Sequence, residues 1–290
     1  MKNILVTGVN SYIGNSFMEY IKNYPEEYSA EGISVRNNAW QDIDFSRYDC
    51  VFDVAGIAHA DVGHASEETV QHYYAVNRDL TLALAQKAKA EGVKQFIFMS
   101  SAIVYGDSAP IGKTKLITAD TPPAPANFYG DSKLQAENAI LPLADDRFKV
   151  AILRPPMIYG KNSKGNYPIL AKLADKLPVF PKVSNTRSML YVGNLTEFVR
   201  LIIKNEDSGI FFPQNAEYSN TSRLVQLIAR AHGKNIALIG GFTWLLKMLS
   251  HATGLVNKAF GSLAYDVTMS DYKEDYRKYS LEESINKTET

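Results

Sequence analysis

A chain of 290 residues with 46% hydrophobic content is long enough for one large domain or two packed ones, and too apolar to be disordered. Its 31 basic and 31 acidic residues leave a formal net charge of +0, so it carries no basic field with which to hold nucleic acid. A single cysteine, Cys50, excludes an internal disulfide and a thiolate metal cluster and suits a reducing compartment. No signal peptide is seen ahead of the first strand, and no apolar run reaches the roughly 20 residues needed to span a bilayer. The expectation is a cytoplasmic protein without integral membrane association.

The chain opens on Met-Lys-Asn-Ile-Leu-Val-Thr-Gly-Val-Asn-Ser-Tyr-Ile-Gly. The apolar run Ile4 to Val6 predicts a buried parallel strand, Thr7-Gly8 a tight turn, and Tyr12 to Tyr20 an amphipathic helix. A helix that starts directly after a strand aims its unpaired N–H groups and positive dipole end at the strand's carboxyl edge, where a pyrophosphate can sit. Gly8, Asn10, Ser11, Tyr12, Ile13 and Gly14 are therefore the candidate dinucleotide-binding residues. The spacing follows the dinucleotide fingerprint except that Ser11 stands where its middle glycine is usual. Serine is small enough for phosphates to approach and offers a hydroxyl donor.

Residues 32–36 (Gly-Ile-Ser-Val-Arg) predict the next strand, placed beside the first in a doubly wound sheet. At its end an acidic residue selects NAD by binding the ribose hydroxyls, whereas an arginine favours the 2′-phosphate of NADP. Arg36 occupies that place with no acidic neighbour, so NADP is favoured over NAD. Asp42 and Ile43 follow as candidates to lie under the adenine, and residues 48–56 predict a third strand ending in Val54, Ala55 and Gly56, where backbone passes close to the cofactor. His59, His64 and His72 match no helical ligand spacing and have no carboxylate-rich partner motif, so no metal is expected.

Residues 67–91 predict one long helix with Asn77 in its middle, where asparagine has no helical advantage. Asn77 either faces solvent or holds backbone or water near the nicotinamide. Residues 93–101 predict a further strand that delivers Ser100 and Ser101 to the carboxyl edge of the sheet. After a proline-rich loop, a helix opens at Phe128-Tyr-Gly-Asp-Ser-Lys133. Tyr129 and Lys133 are four apart, so both lie on one helical face. A tyrosine is a poor base at neutral pH, but an ammonium a few ångströms away, helped by a cationic nicotinamide ring, favours the phenolate. Ser101 is in place to hydrogen-bond the same substrate oxygen.

Together the opening motif, Ser-Ser-Ala-Ile-Val-Tyr-Gly at 100–106, Tyr-Gly-Asp-Ser-Lys at 129–133 and Leu-Arg-Pro-Pro-Met-Ile-Tyr-Gly at 153–160 resemble the extended short-chain dehydrogenase/reductases, in the branch of nucleotide-sugar epimerases, dehydratases and 4-ketoreductases. The resemblance implies a Rossmann-type α/β fold, a doubly wound parallel sheet with a smaller C-terminal α/β substrate domain. Residues 1–160 would bind dinucleotide, with about 190–213 returning to that domain, and 161–290 would mainly bind substrate. It implies Ser101 as catalytic serine, Tyr129 as general acid/base and Lys133 as the residue that binds the nicotinamide ribose and lowers the tyrosine pKa. Pro156 would join the cofactor site, and Ala102, Asn166 and Arg187 the substrate site with Ser101, Arg187 gripping a nucleotide diphosphate bidentately. Asp53 departs from the histidine that many relatives carry.

The stretches Lys164-Gly-Asn, Arg187-Ser and Phe260-Gly-Ser-Leu263 are similar to those of bacterial reductases of UDP-linked 4-keto-6-deoxy-N-acetylhexosamines, which serve surface polysaccharide synthesis. The reading that follows is reduction of a UDP-sugar C4 carbonyl with NADPH. A UDP-sugar 4-epimerase uses the same three residues, and a non-catalytic dinucleotide-binding sensor uses the same fold. The presence of all three, Ser101, Tyr129 and Lys133, speaks against the sensor. The helices around 79–91 and 133–143 resemble the pair that forms a homodimer in the family. Residues 242–256 are apolar enough for a membrane-surface helix, but Lys247, His251 and Gly254 interrupt them and favour packing onto the substrate domain.

Overall fold

In a computed structural model of the protein, which describes residues 1–58, 65–242, 244, 246–248 and 254–290, the chain divides into two compact units. The first comprises Met1–Gly106, Pro122–Pro155 and Leu195–Pro213; the second comprises Asp107–Thr121, Pro156–Asn194 and Gln214–Thr290. Asp107–Thr121 leaves the first unit early, because its strand pairs with the late segment at Ala264.

The strands in chain order are β1 (Lys2–Thr7), β2 (Tyr28–Ile33), β3 (Cys50–Asp53), β4 (Gln95–Met99), β5 (Leu116–Ile117), β6 (Lys149–Leu153), β7 (Met157–Tyr159), β8 (Val179–Pro181), β9 (Met189–Tyr191), β10 (Gly209–Phe211), β11 (Ala237–Ile239) and β12 (Ala264–Tyr265). Helices are α1 (Tyr12–Ile21), α2 (Glu67–Tyr74), α3 (Thr81–Ala90), α4 (Phe128–Ile140), α5 (Asn166–Lys176), α6 (Val192–Asn205) and α7 (Thr221–Ala231), followed by Gly254–Phe260 and Leu281–Glu289.

The first unit is built on a six-stranded parallel sheet in the order β10-β6-β4-β3-β1-β2. β1 is flanked by β2 on one side and β3 on the other, so the winding reverses there, and the carboxyl ends of β1 and β3 form the edge at which such sheets take a ligand. Alternate residues cover both faces. Leu5, Val51, Phe96, Phe98, Val150 and Ile152 pack with Leu84, Ala85 and Ala88 of α3 and Ala136 and Ile140 of α4. On the other face Phe17 of α1 meets Phe52 edge-on, with centroids 5.2 Å apart, a contact worth about 1 kcal/mol beyond its buried area. Cys50 is buried within this sheet.

Three expectations shift. The second strand runs Tyr28–Ile33, earlier than residues 32–36, so Arg36 lies in the exposed segment beyond its end. The third is confined to Cys50–Asp53. The long helix at 67–91 is interrupted: α2 passes into a π-helical segment, Ala75–Leu80, before α3 begins. Such wide turns insert a residue into a helix and commonly mark functional sites. Here the wide turn directs Asn77 into the protein, where it is fully buried and not in solvent.

In the second unit, pairs β7-β9, β8-β11 and β5-β12 surround a core that includes Tyr159, Tyr167, Leu170, Met189, Leu224, Ile228 and Ile285. α7 carries a strong apolar face into that core, and Ser280 opens the C-terminal helix with a capping box closed by Glu283. Of residues 242–256, Leu246 packs into this core while Phe242, Trp244 and Met248 are exposed, so the segment does not pack inward as a whole. Among the described residues no helix is long and apolar enough to cross a membrane. His59 and His64 lie outside the described residues; His72 is exposed in the last turn of α2, and the described residues hold no cluster of three metal-ligating side chains.

Candidate active site

The turn after β1 has the geometry its sequence predicts. Gly8 takes φ +76, and a Cβ there would sit 3.1 Å from the Ala55 Cα and 3.2 Å from its nitrogen. Glycine is needed both for the backbone angle and for the close approach of the two strand ends. Ser11 caps α1, its Oγ accepting the Gly14 N–H at 2.9 Å, which explains how serine serves where glycine is usual. Gly14 is buried against Val6 and Val54, so the first turn of α1 lies close on the sheet. Asn10 is exposed at the turn, with Tyr12 and Ile13 half-buried behind it.

Under this turn lies a buried carboxylate. Asp53 Oδ1 accepts from Thr7 Oγ1 at 2.5 Å and from the Ala55 N–H at 3.2 Å, and its Oδ2 accepts from Thr81 Oγ1 at 3.0 Å. Burial pushes the Asp53 carboxyl above the usual range, while Thr7 and the Lys133 charge pull it back. Asp53 thus ties the ends of β1 and β3 to α3, a role that its departure from the usual histidine signals but does not reveal.

Asn77 performs a related task from the π-helical segment. Its Oδ1 accepts the Ile57 N–H at 2.8 Å, and its Nδ2 donates to the Ile57 carbonyl at 3.1 Å and to Ser132 Oγ at 3.1 Å. A Cβ on Gly56 would lie 3.1 Å from both Asn77 Oδ1 and Lys133 Nζ. Val54, Ala55 and Gly56 therefore form a narrow ledge that leads to the lysine. Asp42 is exposed and Ile43 partly buried at the end of a 3-10 turn, Asn38–Asp42.

Ser101, Tyr129 and Lys133 converge in the first unit. Ser101 caps the 3-10 turn Ala102–Tyr105 by accepting the Ile103 N–H at 3.3 Å, and its hydroxyl lies close enough to Tyr129 to favour the phenolate. Ala102 beside it is buried. Gly130 lets α4 approach this turn, because a Cβ there would lie 2.8 Å from the Ile103 carbonyl oxygen. Lys133 is buried, donates to the Met99 carbonyl at 3.0 Å and stands 4.5 Å from the centre of the Phe98 ring. Burial lowers its pKa to about 8, opposed by Asp53 and Glu137. Burial pushes the Tyr129 phenol up to about 12, with the nearby Ser101 hydroxyl pulling the other way. The depression expected from Lys133 is thus not a property of the folded chain alone: the ammonium is engaged by Met99, and desolvation wins.

Arg187 lies in the second unit, its backbone bridging Ser219 and Leu263 and its Nη1 donating to the Ala259 carbonyl at 3.2 Å and the Gly261 carbonyl at 3.4 Å. Burial lowers its pKa to about 10. Asn166, half-buried, opens α5, and Pro156 is buried at the start of a segment of that unit.

A parallel sheet whose winding reverses over a glycine turn, with serine, tyrosine and lysine at its carboxyl edge, defines a dinucleotide-dependent enzyme fold of the Rossmann type. The residues fit a dinucleotide: the left-handed Gly8, the capped first turn of α1 and the side-chain-free Gly56 make a cradle that a Cβ at either glycine would fill.

Residues 4–212 match the NAD dependent epimerase/dehydratase family, and the chain belongs to it and is an NAD(P)-dependent enzyme of that class. It is 28% identical to a UDP-glucose 4-epimerase of Vibrio cholerae over 92% of this chain and 88% of that one. To an N-acetyl-alpha-D-glucosaminyl-diphospho-ditrans,octacis-undecaprenol 4-epimerase of Escherichia coli O157:H7 it is 27% identical, over 99% and 94%. Among solved structures, the UDP-glucuronic acid 4-epimerase of Bacillus cereus in complex with NAD shares the fold with TM-score 0.73 and 18% identity, over 98% of this chain and 96% of the other. The dTDP-4-dehydrorhamnose reductase of Bacillus anthracis in complex with NADP does so with TM-score 0.70 and 17% identity, over 99% and 98%.

Proposed function

We propose that the protein is a nucleotide-sugar oxidoreductase that reduces the C4 carbonyl of a UDP-4-keto-6-deoxy-N-acetylhexosamine for surface polysaccharide synthesis. The observation that carries this reading is Ser101 standing beside Tyr129, close enough to draw its pKa down, with buried Lys133 one helical turn further on. Tyr129 gives its proton to the oxygen of the carbonyl as it becomes an alkoxide, and Ser101 donates a hydrogen bond to the same oxygen. Lys133 holds the ribose and supplies positive charge. Gly8, Ser11, Gly14, Ala55 and Gly56 hold the dinucleotide, which when bound supplies the hydride. Arg36 favours NADPH and hence net reduction, and the Arg187 guanidinium, held in the second unit by the Ala259 and Gly261 carbonyls, supports the substrate reading as a group suited to a diphosphate.

A second reading, 4-epimerisation, draws on the relatives, among them 4-epimerases of Vibrio cholerae and Escherichia coli. In it Tyr129 first takes the C4 hydroxyl proton and later returns it. The test is to mix the purified protein and NADPH with an enzymatically generated 4-keto sugar nucleotide and follow reduced-nicotinamide absorbance. Stoichiometric, Tyr129-dependent loss supports the reductase. Untouched NADPH together with interconversion of UDP-N-acetylglucosamine and UDP-N-acetylgalactosamine moves the reading to the epimerase. Leu82 and Ala83 of α3, only partly buried beside α4, suit a homodimer formed on these helices, and a monomeric mass at all concentrations would remove that part.

A further inference from the structure

Behind the three catalytic candidates lies a second set of polar side chains that the reaction does not itself require. Glu137, fully buried on α4, accepts from Arg154 Nε at 3.1 Å on each carboxylate oxygen and from Arg154 Nη2 at 2.5 Å on Oε2. Its Oε1 also accepts from the Ser100 hydroxyl. Arg154 Nη1 donates to the Tyr105 hydroxyl at 2.7 Å. Ser100, Tyr105 and Arg154 are buried as well.

A buried ion pair is poor evidence of stability, because apolar residues of the same shape often do as well or better. What singles this one out is where its members sit. Ser100 precedes Ser101; Tyr105 ends the turn that Ser101 opens; Glu137 follows Lys133 by one helical turn and Tyr129 by two; Arg154 stands at the end of β6, where the Pro155 carbonyl accepts the Ala102 N–H at 2.9 Å. Ser101 has an extended backbone, with φ −164 and ψ 155. Consecutive side chains on extended backbone point to opposite sides. With Ser100 engaged by Glu137, Ser101 is turned towards Tyr129.

We propose that Ser100, Tyr105, Glu137 and Arg154 are positioning residues, a buried frame that decides which of two adjacent serines faces Tyr129 and sets a fixed carboxylate one turn from Lys133. This inference rests on the proposed catalytic role of Ser101, Tyr129 and Lys133. The groups that face Lys133 are Asp53 from β3, Glu137 from its own helix, and the Met99 carbonyl and Phe98 ring from β4. Those that face Glu137 are Arg154 and Ser100, with Tyr105 acting through Arg154. Glu137 and Asp53 both favour the lysine's charged form against its burial. Glu137 is the one of the two that also orients the serine strand.

The experiment titrates NADPH by fluorescence from neutral to alkaline pH on wild type, Ser100→Ala, Tyr105→Phe, Glu137→Gln and the reference Lys133→Met, with thermal unfolding of each and turnover of the 4-keto sugar nucleotide. In wild type the affinity falls as Lys133 loses its proton, and Lys133→Met lacks that fall. The frame predicts that Glu137→Gln moves the fall to lower pH by on the order of one unit, the size of a nearby charge's effect on a buried group. Ser100→Ala moves it the same way by less. Ser100→Ala and Tyr105→Phe lower kcat roughly tenfold with KM little changed, as loss of an orientation used in the transition state requires. Folded variants with the wild-type pH dependence and wild-type kcat overturn the frame. Should Glu137→Gln not fold, Ser100→Ala and Tyr105→Phe decide by the same readouts. Should wild type turn over no sugar nucleotide, the proposed substrate fails, while the pH dependence of NADPH binding still decides the frame.

Discussion

Asn77 grips both ends of the Ile57 peptide, accepting its N–H at 2.8 Å and donating to its carbonyl at 3.1 Å. One amide side chain, brought inward by a π-helical segment, thereby fixes the backbone just beyond Gly56 and reaches Ser132 on α4. Asn77→Ala removes the partner of the half-buried Ile57 N–H and carbonyl and the bond that Ser132 Oγ accepts, at a cost of about 1–2 kcal/mol. The expected outcome is a lower urea midpoint with unchanged slope, together with weaker NADPH binding. Wild-type stability in this variant would show that water replaces the amide without cost.

Gly8→Ala asks an L-residue to adopt φ +76 with its Cβ 3.1 Å from Ala55 Cα. The strained backbone alone costs about 1–2 kcal/mol. Melting temperature should fall, and dinucleotide affinity should fall further than stability alone explains, because β1 and β3 must separate at the ligand edge. Equal affinity in the variant would place the dinucleotide elsewhere.

Tyr129→Phe removes the proton donor and leaves the Ser101 cap on Ile103 in place. Turnover should drop by about 10²-fold or more, the usual contribution of a positioned acid. NADPH binding should persist, so a fluorescence titration separates lost chemistry from lost fold. Undiminished turnover would remove Tyr129 from the reaction.

Lys133 has a folded pKa of about 8 against an ordinary 10.5. Between those values the unfolded chain binds the extra proton, so stability rises with pH across that window; below about pH 8 the buried ammonium is a standing cost. Tyr129 acts oppositely. Raised from 10.0 to about 12, it keeps its proton where the unfolded tyrosine loses it, so its contribution falls away above pH 10.0. Urea unfolding at stepped pH should show the rise in wild type and a flatter profile in Lys133→Met. Equal profiles would assign the rise to other groups.

Arg36→Asp exchanges a cation beyond β2 for an anion. If the 2′-phosphate is read there, NADPH affinity falls by roughly tenfold or more while NADH affinity is kept or improved. Parallel titrations with the two nucleotides check this, and an unchanged ratio would leave the choice of cofactor to other residues.

Much of the dinucleotide half could be read directly from the chain, because its signals are local. A glycine turn between a strand and a helix, and a Tyr-x-x-x-Lys spacing on a helical face, depend on neighbours a few residues apart. That is why Gly8, Ser11, Gly14, Tyr129 and Lys133 stand out in the sequence as candidates. The start of β2 is not legible in the sequence, because Tyr28-Ser-Ala-Glu mixes polar residues into a sheet strand, and only its pairing with β1 makes it one.

The remaining features are set by contacts across long stretches of sequence. Thr7, Asp53 and Thr81 meet, as do Ser100, Glu137 and Arg154, only once the sheet has brought their strands and helices together. A charged residue in an apolar run, such as Arg154 after Val150-Ala-Ile-Leu, hints at a buried partner without naming it. The sequence by itself determined the class of fold and singled out the candidates for the cofactor cradle and the acid/base, since these follow from backbone angle and helical spacing. The tertiary structure alone decided that Ser100 is engaged by Glu137, why Asn77 is turned inward, and that the lysine's charge is favoured against its burial by carboxylates from two different elements. Each of those outcomes depends on which distant groups share a buried space, where an unpaired charge or amide is too costly to leave.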